Sequence, residues 1–336
     1  VNAFDDDRQG LNQWLAAAGY PDWEAVALPG DISPRRYERL RGAGGATVIL
    51  ARYPEELRAA GERFARTSEI LAAAGVPVPP VLAIDEARGW MLVEDLGEAT
   101  LAELRHLPWA ELTPYFEDAA DLATRIAAIP RELVANLNPP LDAPLMRREL
   151  AQTRRLFLEP NGLAPTPLAE GKGQPPATPI DQALEALCQA LAADEPVTCH
   201  RDFMARNLVP RSPGRVAVLD HQDLRLGPPA YDLASLLNDT LFPPPEVERR
   251  LRDAAFPGED GRLRYHRAAA QRTLKAVGTY AAFARRGSDR HLPLIGPTLR
   301  RFLRHFSRVP EGHLLVAGIE PAWLAAGDAP RLAPAS

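Results

Sequence analysis

Lysine is nearly missing from this chain. Of its 39 basic residues only Lys172 and Lys275 are lysines; the rest are arginines. The arginine excess is spread along the whole sequence and reads as genomic composition, but it leaves no lysine before residue 172. Cysteine is also scarce. Cys188 and Cys199 lie in or beside apolar segments, at a spacing that suits no zinc site, and a disulfide framework needs more of them. No run of eighteen apolar residues occurs, so no membrane span is expected. The first ten residues, VNAFDDDRQG, are acidic and lack a hydrophobic signal region, so secretion is not expected. The net charge of −5 argues against general nucleic-acid binding. These absences predict a cytoplasmic protein with neither a membrane nor a nucleic acid as partner.

What is present suffices for a large core, or for two lobes sharing a cleft: 336 residues, 46% of them apolar. Residues 11–18 read as a short helix stopped by Gly19 and Pro21. Residues 26–41 and 45–53 read as extended, and TVILARY (47–53) is apolar and β-branched enough for a buried strand. Leu57, Ala60, Phe64, Ser68 and Leu71 fall on one stripe of a helix over 55–74, ended by Gly75 and Pro77. Residues 78–85 and 89–97 read as two strands around a turn. Beyond Gly97 the character changes to helix, over 112–129, 181–193, 231–240 and 262–286. The stretch 160–179 is rich in Pro, Gly and Ala and is expected to be a surface insertion of little structure. The pattern predicts an α+β chain: a small strand-rich lobe over 1–96, a linker near 94–98, and a larger, mostly helical lobe over 97–336.

Two aspartate motifs carry the chemistry. In TCHRDFMARNL (198–208), Asn207 follows Asp202 by five residues. In VAVLDHQD (216–223), an apolar strand delivers Asp220 at its end. Phosphoryl transfer asks for a group that orients or deprotonates the attacking hydroxyl, and for oxygen ligands to magnesium bridging the phosphates. Asp202 suits the first task, Asn207 and Asp220 the second. His200 is expected to pack and bond to backbone. Three roles fit Asp223: a further carboxylate near the metal, a substrate contact, or a turn residue. Pro228 and Pro229 in GPPAYDLASLLND (227–239) precede a helix start, where Asp232 suits the helix dipole and could brace the loop around Asp202.

GDISPRRYERL (30–40), LVEDLG (92–97), the two aspartate motifs and QRTLKAVG (271–278) together resemble the aminoglycoside-phosphotransferase branch of the protein-kinase-like fold. Within it the chain is most similar to the bacterial anomeric sugar kinases of cell-wall recycling, which phosphorylate N-acetylmuramate and N-acetylglucosamine at C1. The resemblance implies a bilobal kinase that uses ATP and Mg2+, here expected as a monomer. It places Gly30, Asp31, Ile32 and Ser33 at the turn that covers the phosphates, where backbone N–H groups can face them. Arg35 or Arg36 would reach phosphate, or be a solvated strand residue. Glu94 and Leu96 would offer backbone groups to adenine. Protein kinases hold the phosphates with a strand lysine paired to a helix glutamate. Here Arg52 is the nearest cation, Phe64 stands near the glutamate position, and Glu62 and Glu69 flank it. Gln271, Arg272 and Lys275 on the 262–286 helix, with Arg206 and Asp223, either line the acceptor pocket, support it, or form solvated faces. The short span from Asp220 to Tyr231 leaves no room for a peptide-docking segment and favours a small sugar as partner. An aminoglycoside or other small alcohol is the alternative acceptor, and a nucleotide-binding pseudokinase scaffold the alternative of another class.

Overall fold

The apolar hexapeptide Thr47–Arg52 becomes the middle strand of a five-stranded sheet, covered on both faces. The computed structural model describes residues 8–28, 34–164 and 177–333. In chain order the first elements are α1 (Arg8–Ala17), β1 (Glu24–Ala27), β2 (Arg36–Arg41), β3 (Thr47–Arg52), α2 (Arg58–Ala73), β4 (Val81–Asp85) and β5 (Trp90–Glu94). The sheet runs β1-β2-β3-β5-β4, and every neighbouring pair is antiparallel. Successive strand side chains point to opposite faces. Val48 and Leu50 therefore join Leu15, Leu40 and Leu92 beneath α1, whereas Ile49, Ala51 and Tyr53 join Met91, Val93 and Phe64 beneath α2. Burial on both faces explains why this strand reads as an unbroken apolar run rather than an alternating one. At the β4–β5 turn, Gly89 has φ +68°, and a Cβ there would lie 2.5 Å from the Tyr53 carbonyl oxygen.

After β5 the chain crosses to the second lobe along a segment fastened from above. The buried Arg39 of β2 donates to both carboxylate oxygens of Asp95, at 2.5 and 3.1 Å, to Glu98 at 2.9 Å and to the Gly97 carbonyl at 3.1 Å. The segment expected as a linker is thus bonded to the sheet by one guanidinium, whose planar fork suits such multiple donation.

The second lobe contains α3 (Trp109–Ala127), α4 (Ala143–Thr153), α5 (Pro179–Ala192), β6 (Val197–Cys199), β7 (Leu208–Ser212), β8 (Arg215–Val218), β9 (Arg225–Gly227), α6 (Tyr231–Leu237), α7 (Pro245–Ala255), α8 (Gly258–Arg285), α9 (Ile295–Phe306) and α10 (His313–Asp328). Here α4, α7, α9 and α10 are additional to the helices predicted above. The strands form two short antiparallel ladders, β6 with β9 and β7 with β8. Of the expected insertion, residues 165–176 lie outside the described residues, and Thr178 and Asp181 already form a capping box at the start of α5.

The long helix α8 is the axis of this lobe. Ala268, Ala269, Ala270, Leu274, Val277 and Ala281 are buried along it, and its small residues let α4, α6 and α9 approach closely. Thr153 at the end of α4 donates to the Leu274 carbonyl at 3.0 Å, and a Cβ at Gly278 would come within 2.7 Å of the Thr153 Cα. The absence of a side chain at 278 therefore sets how near α4 lies to α8. Replacing Gly278 with Ala gains about 1 kcal/mol of helix propensity, but the collision is with backbone. We expect a net destabilisation of about 1–3 kcal/mol, as for overpacked cores, read as a lower urea midpoint at constant slope. An unchanged midpoint would mean that the two helices do not meet at this point.

Candidate active site

The loop after β6 is bent by one carboxylate. Asp232, buried in the first turn of α6, accepts from the His200 N–H at 2.6 Å and the Arg201 N–H at 2.9 Å. Two consecutive amides can converge on one carboxylate only if the backbone curls, and Arg201 has φ +76°. Burial pushes the Asp232 carboxyl up, and the His200 ring and the two amide donors hold the rise back. His200 Nε2 donates to the Leu219 carbonyl at 2.8 Å, joining the loop to the residue before Asp220. Both residues expected as braces thus bond to backbone.

The β7–β8 hairpin brings the second motif alongside. Leu208 pairs with Val218, and the Leu219 N–H donates to the Asn207 carbonyl at 2.8 Å, so Asn207 and Asp220 lie at the same end of the ladder. Asn207 Nδ2 donates to the Asp202 carbonyl at 2.8 Å, which leaves its side-chain oxygen as the atom available to a cation. Asp220 adopts a left-handed conformation with φ +57°. Its side chain is 43% exposed, and Oδ1 accepts from Gln222 Nε2 at 2.7 Å and lies 3.8 Å from Arg35 Nη2.

Asp202 sits among cations. Lys275 Nζ and Arg272 Nη2, both from α8, are each 3.7 Å from its Oδ1. Burial acts to raise the Asp202 carboxyl, but Lys275, Arg272 and Arg201 overcome it and hold the group far below the usual carboxylate range. A second buried carboxylate, Glu149 of α4, balances these charges. It lies 3.4 Å from Lys275 Nζ and accepts from Arg201 Nη2 at 3.0 Å and from Gln271 Nε2 at 3.2 Å. Arg201 also donates to Asp223 at 2.8 Å, and Asp223 lies 3.5 Å from Arg225. The geometry shows Asp223 in an ion pair with the loop, a contact outside the three roles open for it that decides between none of them. Arg272 donates to Ser235 Oγ at 2.9 Å. Arg206 is exposed, with Nε directed at Met204 Sδ at 3.0 Å.

On the sheet side, Gly30, Asp31, Ile32 and Ser33 lie outside the described residues. Arg35 reaches the Asp220 side of the site, whereas Arg52 lies 4.0 Å from Glu38 across the β2–β3 pair and is in contact with neither aspartate. The Glu94 N–H donates to the Pro80 carbonyl at 3.0 Å. The Glu94 carboxylate and the Leu96 carbonyl both accept from Arg211, at 2.8 and 3.3 Å. Glu62 and Glu69 are exposed on α2, and Glu69 pairs with Arg66 on the surface. The face that α2 turns to the site carries Phe64 and Thr67 instead. The Phe64 ring stacks on His221 at 4.2 Å, and Thr67 Oγ1 is 2.8 Å from His221 Nδ1. The Thr67 hydroxyl donates to the Arg63 carbonyl at 2.8 Å, so its oxygen is left to accept from Nδ1–H. Burial pulls the His221 pKa down to about 3, and the ring is neutral.

Glu149 and the Thr67–His221 contact are absent from the residues singled out by sequence. Glu149 did carry a signal. Met146, Leu150 and Thr153 are the buried face of α4, and Glu149 stands on that stripe at helical spacing, a charge where an apolar residue is expected.

The sequence profile of the Phosphotransferase enzyme family matches residues 24–270. This chain belongs to that family. The chain is 31% identical to an N-acetylmuramate/N-acetylglucosamine kinase of Pseudomonas aeruginosa over 91% of its own length and 94% of the relative's. It is 30% identical to one of Caulobacter vibrioides, over 84% and 87%. Among solved structures it is similar to choline kinase LicA from Streptococcus pneumoniae, with a TM-score of 0.59 at 13% identity over 90% of this chain and 99% of that one. It is also similar to aminoglycoside-3'-phosphotransferase of type VIII, with a TM-score of 0.53 at 21% identity over 80% and 98%. The bilobal α+β kinase-like architecture expected from the sequence is therefore the one this family member adopts, and its reaction class is phosphoryl transfer. Among the described residues no helix is long and apolar enough to cross a membrane.

The bend at Arg201 yields a test. Asp232→Asn keeps the shape, but its amide nitrogen cannot accept from a backbone N–H. Leaving one buried donor unpaired costs about 1–3 kcal/mol, and we expect a correspondingly lower melting temperature. Displacement of Asp202 by about 1 Å would lower turnover roughly 10²-fold. Turnover and melting temperature both at wild-type values would show that the loop holds its bend without this carboxylate.

Proposed function

We propose that the chain is an ATP-dependent kinase that phosphorylates the C1 hydroxyl of N-acetylmuramate or N-acetylglucosamine. The observation that carries the reaction is Asp202, ionised between Lys275 and Arg272 and bonded through its carbonyl to Asn207. The choice of acceptor rests on the similarity to N-acetylmuramate/N-acetylglucosamine kinases along nearly the whole chain. Two cations of α8 beside Asp202 disfavour a polycationic acceptor such as an aminoglycoside.

A carboxylate held this far below its ordinary range is a weak base. In a loose phosphoryl-transfer transition state the attacking hydroxyl loses its proton late, after bonding to phosphorus has acidified it. Asp202 would therefore orient the hydroxyl first and take its proton as the O–P bond completes, while the β–γ bridging oxygen leaves with its electron pair on ADP. A C1 hemiacetal hydroxyl is more acidic than an ordinary alcohol and asks less of such a base.

The residues present fit magnesium. Asn207 offers an oxygen, its nitrogen being engaged, and Asp220 offers a half-exposed carboxylate. Among the described residues no three His, Cys, Asp or Glu side chains lie together as a cage. Two protein oxygens completed by phosphates and water suit magnesium better than a fully protein-built site would. When bound, the ion neutralises the charge of the triphosphate.

A coupled assay over N-acetylglucosamine, N-acetylmuramate, their methyl glycosides, glucose and an aminoglycoside tests the proposal. Phosphate should pass to the free amino sugars and not to the methyl glycosides, whose C1 oxygen is blocked. Asp202→Asn should lose about 10²–10⁴-fold in turnover with nucleotide binding intact, and Asp220→Ala should lose magnesium-dependent nucleotide binding. Equal transfer to the methyl glycosides would remove C1 as the acceptor, and transfer confined to the aminoglycoside would replace the sugar altogether.

A further inference from the structure

In a chain that uses arginine almost everywhere, one lysine stands beside Asp202. Lys275 is partly buried, its side chain 12% exposed, and its ammonium lies between two carboxylates: Asp202 at 3.7 Å and Glu149 at 3.4 Å. Glu149 is itself 9% exposed at the side chain and is further held by Arg201 and Gln271. The placement follows from the helix pairing. Glu149 precedes Thr153 by one turn on α4, Lys275 precedes Gly278 by about one turn on α8, and Thr153 meets α8 at Leu274 and Gly278. A compact ammonium presents three donors from a single point, whereas a guanidinium presents a broad planar fork. Asp202 and Glu149 stand at ion-pair distance and leave the ammonium a donor to spare.

Among the described residues of the opposite wall, Arg35 lies 3.8 Å from Asp220, and no cation there pairs with Asp202. Lysine is missing from the sheet lobe, Arg52 lies 4.0 Å from Glu38, and α2 presents Phe64 and Thr67 to His221. Phosphoryl transfer spreads negative charge over the equatorial oxygens of the moving group, and a fixed cation there lowers the barrier. We propose that Lys275 is a catalytic residue whose ammonium donates an N–H to the transferring phosphoryl group, and that Glu149 is the positioning residue that aims it. The ammonium remains protonated throughout. It gains no proton and loses none, and stabilises the group as its bond to the β–γ bridging oxygen breaks and its bond to the acceptor oxygen forms. The inference rests on the kinase reading above, but not on which alcohol is the acceptor.

Four variants test it: K275M, K275R, E149Q and the double variant E149Q/K275M. Steady-state turnover is measured with ATP and N-acetylglucosamine, together with slow hydrolysis of Mg·ATP without sugar, which reports transfer to water. Nucleotide affinity and melting temperature serve as folding controls. K275M should lower kcat about 10²–10³-fold, the range for removing one preorganised donor from a transition state, with the KM for sugar nearly unchanged. Sugar-free hydrolysis should fall in parallel. K275R, which keeps the charge, should recover little. E149Q should lower kcat by a smaller factor, and the two effects should be far less than multiplicative in the double variant, because Glu149 acts on the transfer chiefly through the lysine. The double variant also removes the unpaired carboxylate that K275M leaves, so it reports on chemistry if K275M folds poorly.

K275M or the double variant at near-wild-type kcat would overturn the role of the lysine. Loss of sugar phosphorylation with hydrolysis intact would overturn its contact with the phosphoryl group. Multiplying effects in the double variant would overturn the role of Glu149. Wild-type protein that hydrolyses ATP but leaves both amino sugars untouched would defeat the choice of acceptor alone, since hydrolysis by the four variants still reads the lysine.

Discussion

Buried charge must be neutralised where it stands, and that requirement organises the second lobe. Glu149 is largely withdrawn from water and Asp202 partly so; Lys275 and Arg201 favour the ionised form of both, and Arg272 joins them at Asp202. Removing one partner of such a cluster leaves an uncompensated buried charge, typically a loss of about 3–5 kcal/mol. The packing answers this need. The missing side chain at Gly278 lets α4 bring Glu149 up to Lys275, and Asp232 curls the loop so that Arg201 can reach both Glu149 and Asp223. Because each group has more than one partner, the positions of α4, α6, α8 and the loop are fixed together.

The two lobes divide the work differently from a protein kinase with a strand lysine and a helix glutamate. Here the contact from α2 to the second lobe is a neutral one, made by Phe64 and Thr67 on His221. The sheet is fastened instead through Arg39, which takes hold of Asp95, Gly97 and Glu98, and through Arg211, which reaches back to Glu94 and Leu96. Two of the cations around Asp202, Arg272 and Lys275, come from α8. In this architecture the first lobe is anchored by hydrogen bonds and stacking, and the second carries the concentrated charge.

Much of this was legible in the chain. TVILARY declared a buried strand, and the strand-end position of Asp220 followed from the apolar residues before it. The spacing of Asp202 and Asn207 named a loop whose carbonyl-to-amide bond the structure contains. Glu149 was hard to read because α4 is short and its apolar stripe holds only a few large residues, so the helix itself gave little periodicity. The partners of Arg52 were equally hidden. A strand position does not say which cross-strand neighbour a long side chain will choose, and Glu38 stands close by on β2. Tertiary charge pairing joins residues far apart in sequence, such as Glu149 and Lys275, and no local pattern encodes such a pair.

The structure of the protein with Mg·ADP, aluminium fluoride and N-acetylglucosamine would examine the central claim directly, since the fluoride complex stands in for the phosphoryl group in flight. The arrangement described here predicts the Lys275 ammonium within hydrogen-bond distance of a fluoride, still held by Glu149, with Asp202 on the C1 oxygen. A complex in which Lys275 keeps only its two carboxylates, while Arg35 or Arg52 contacts the fluoride, would contradict it.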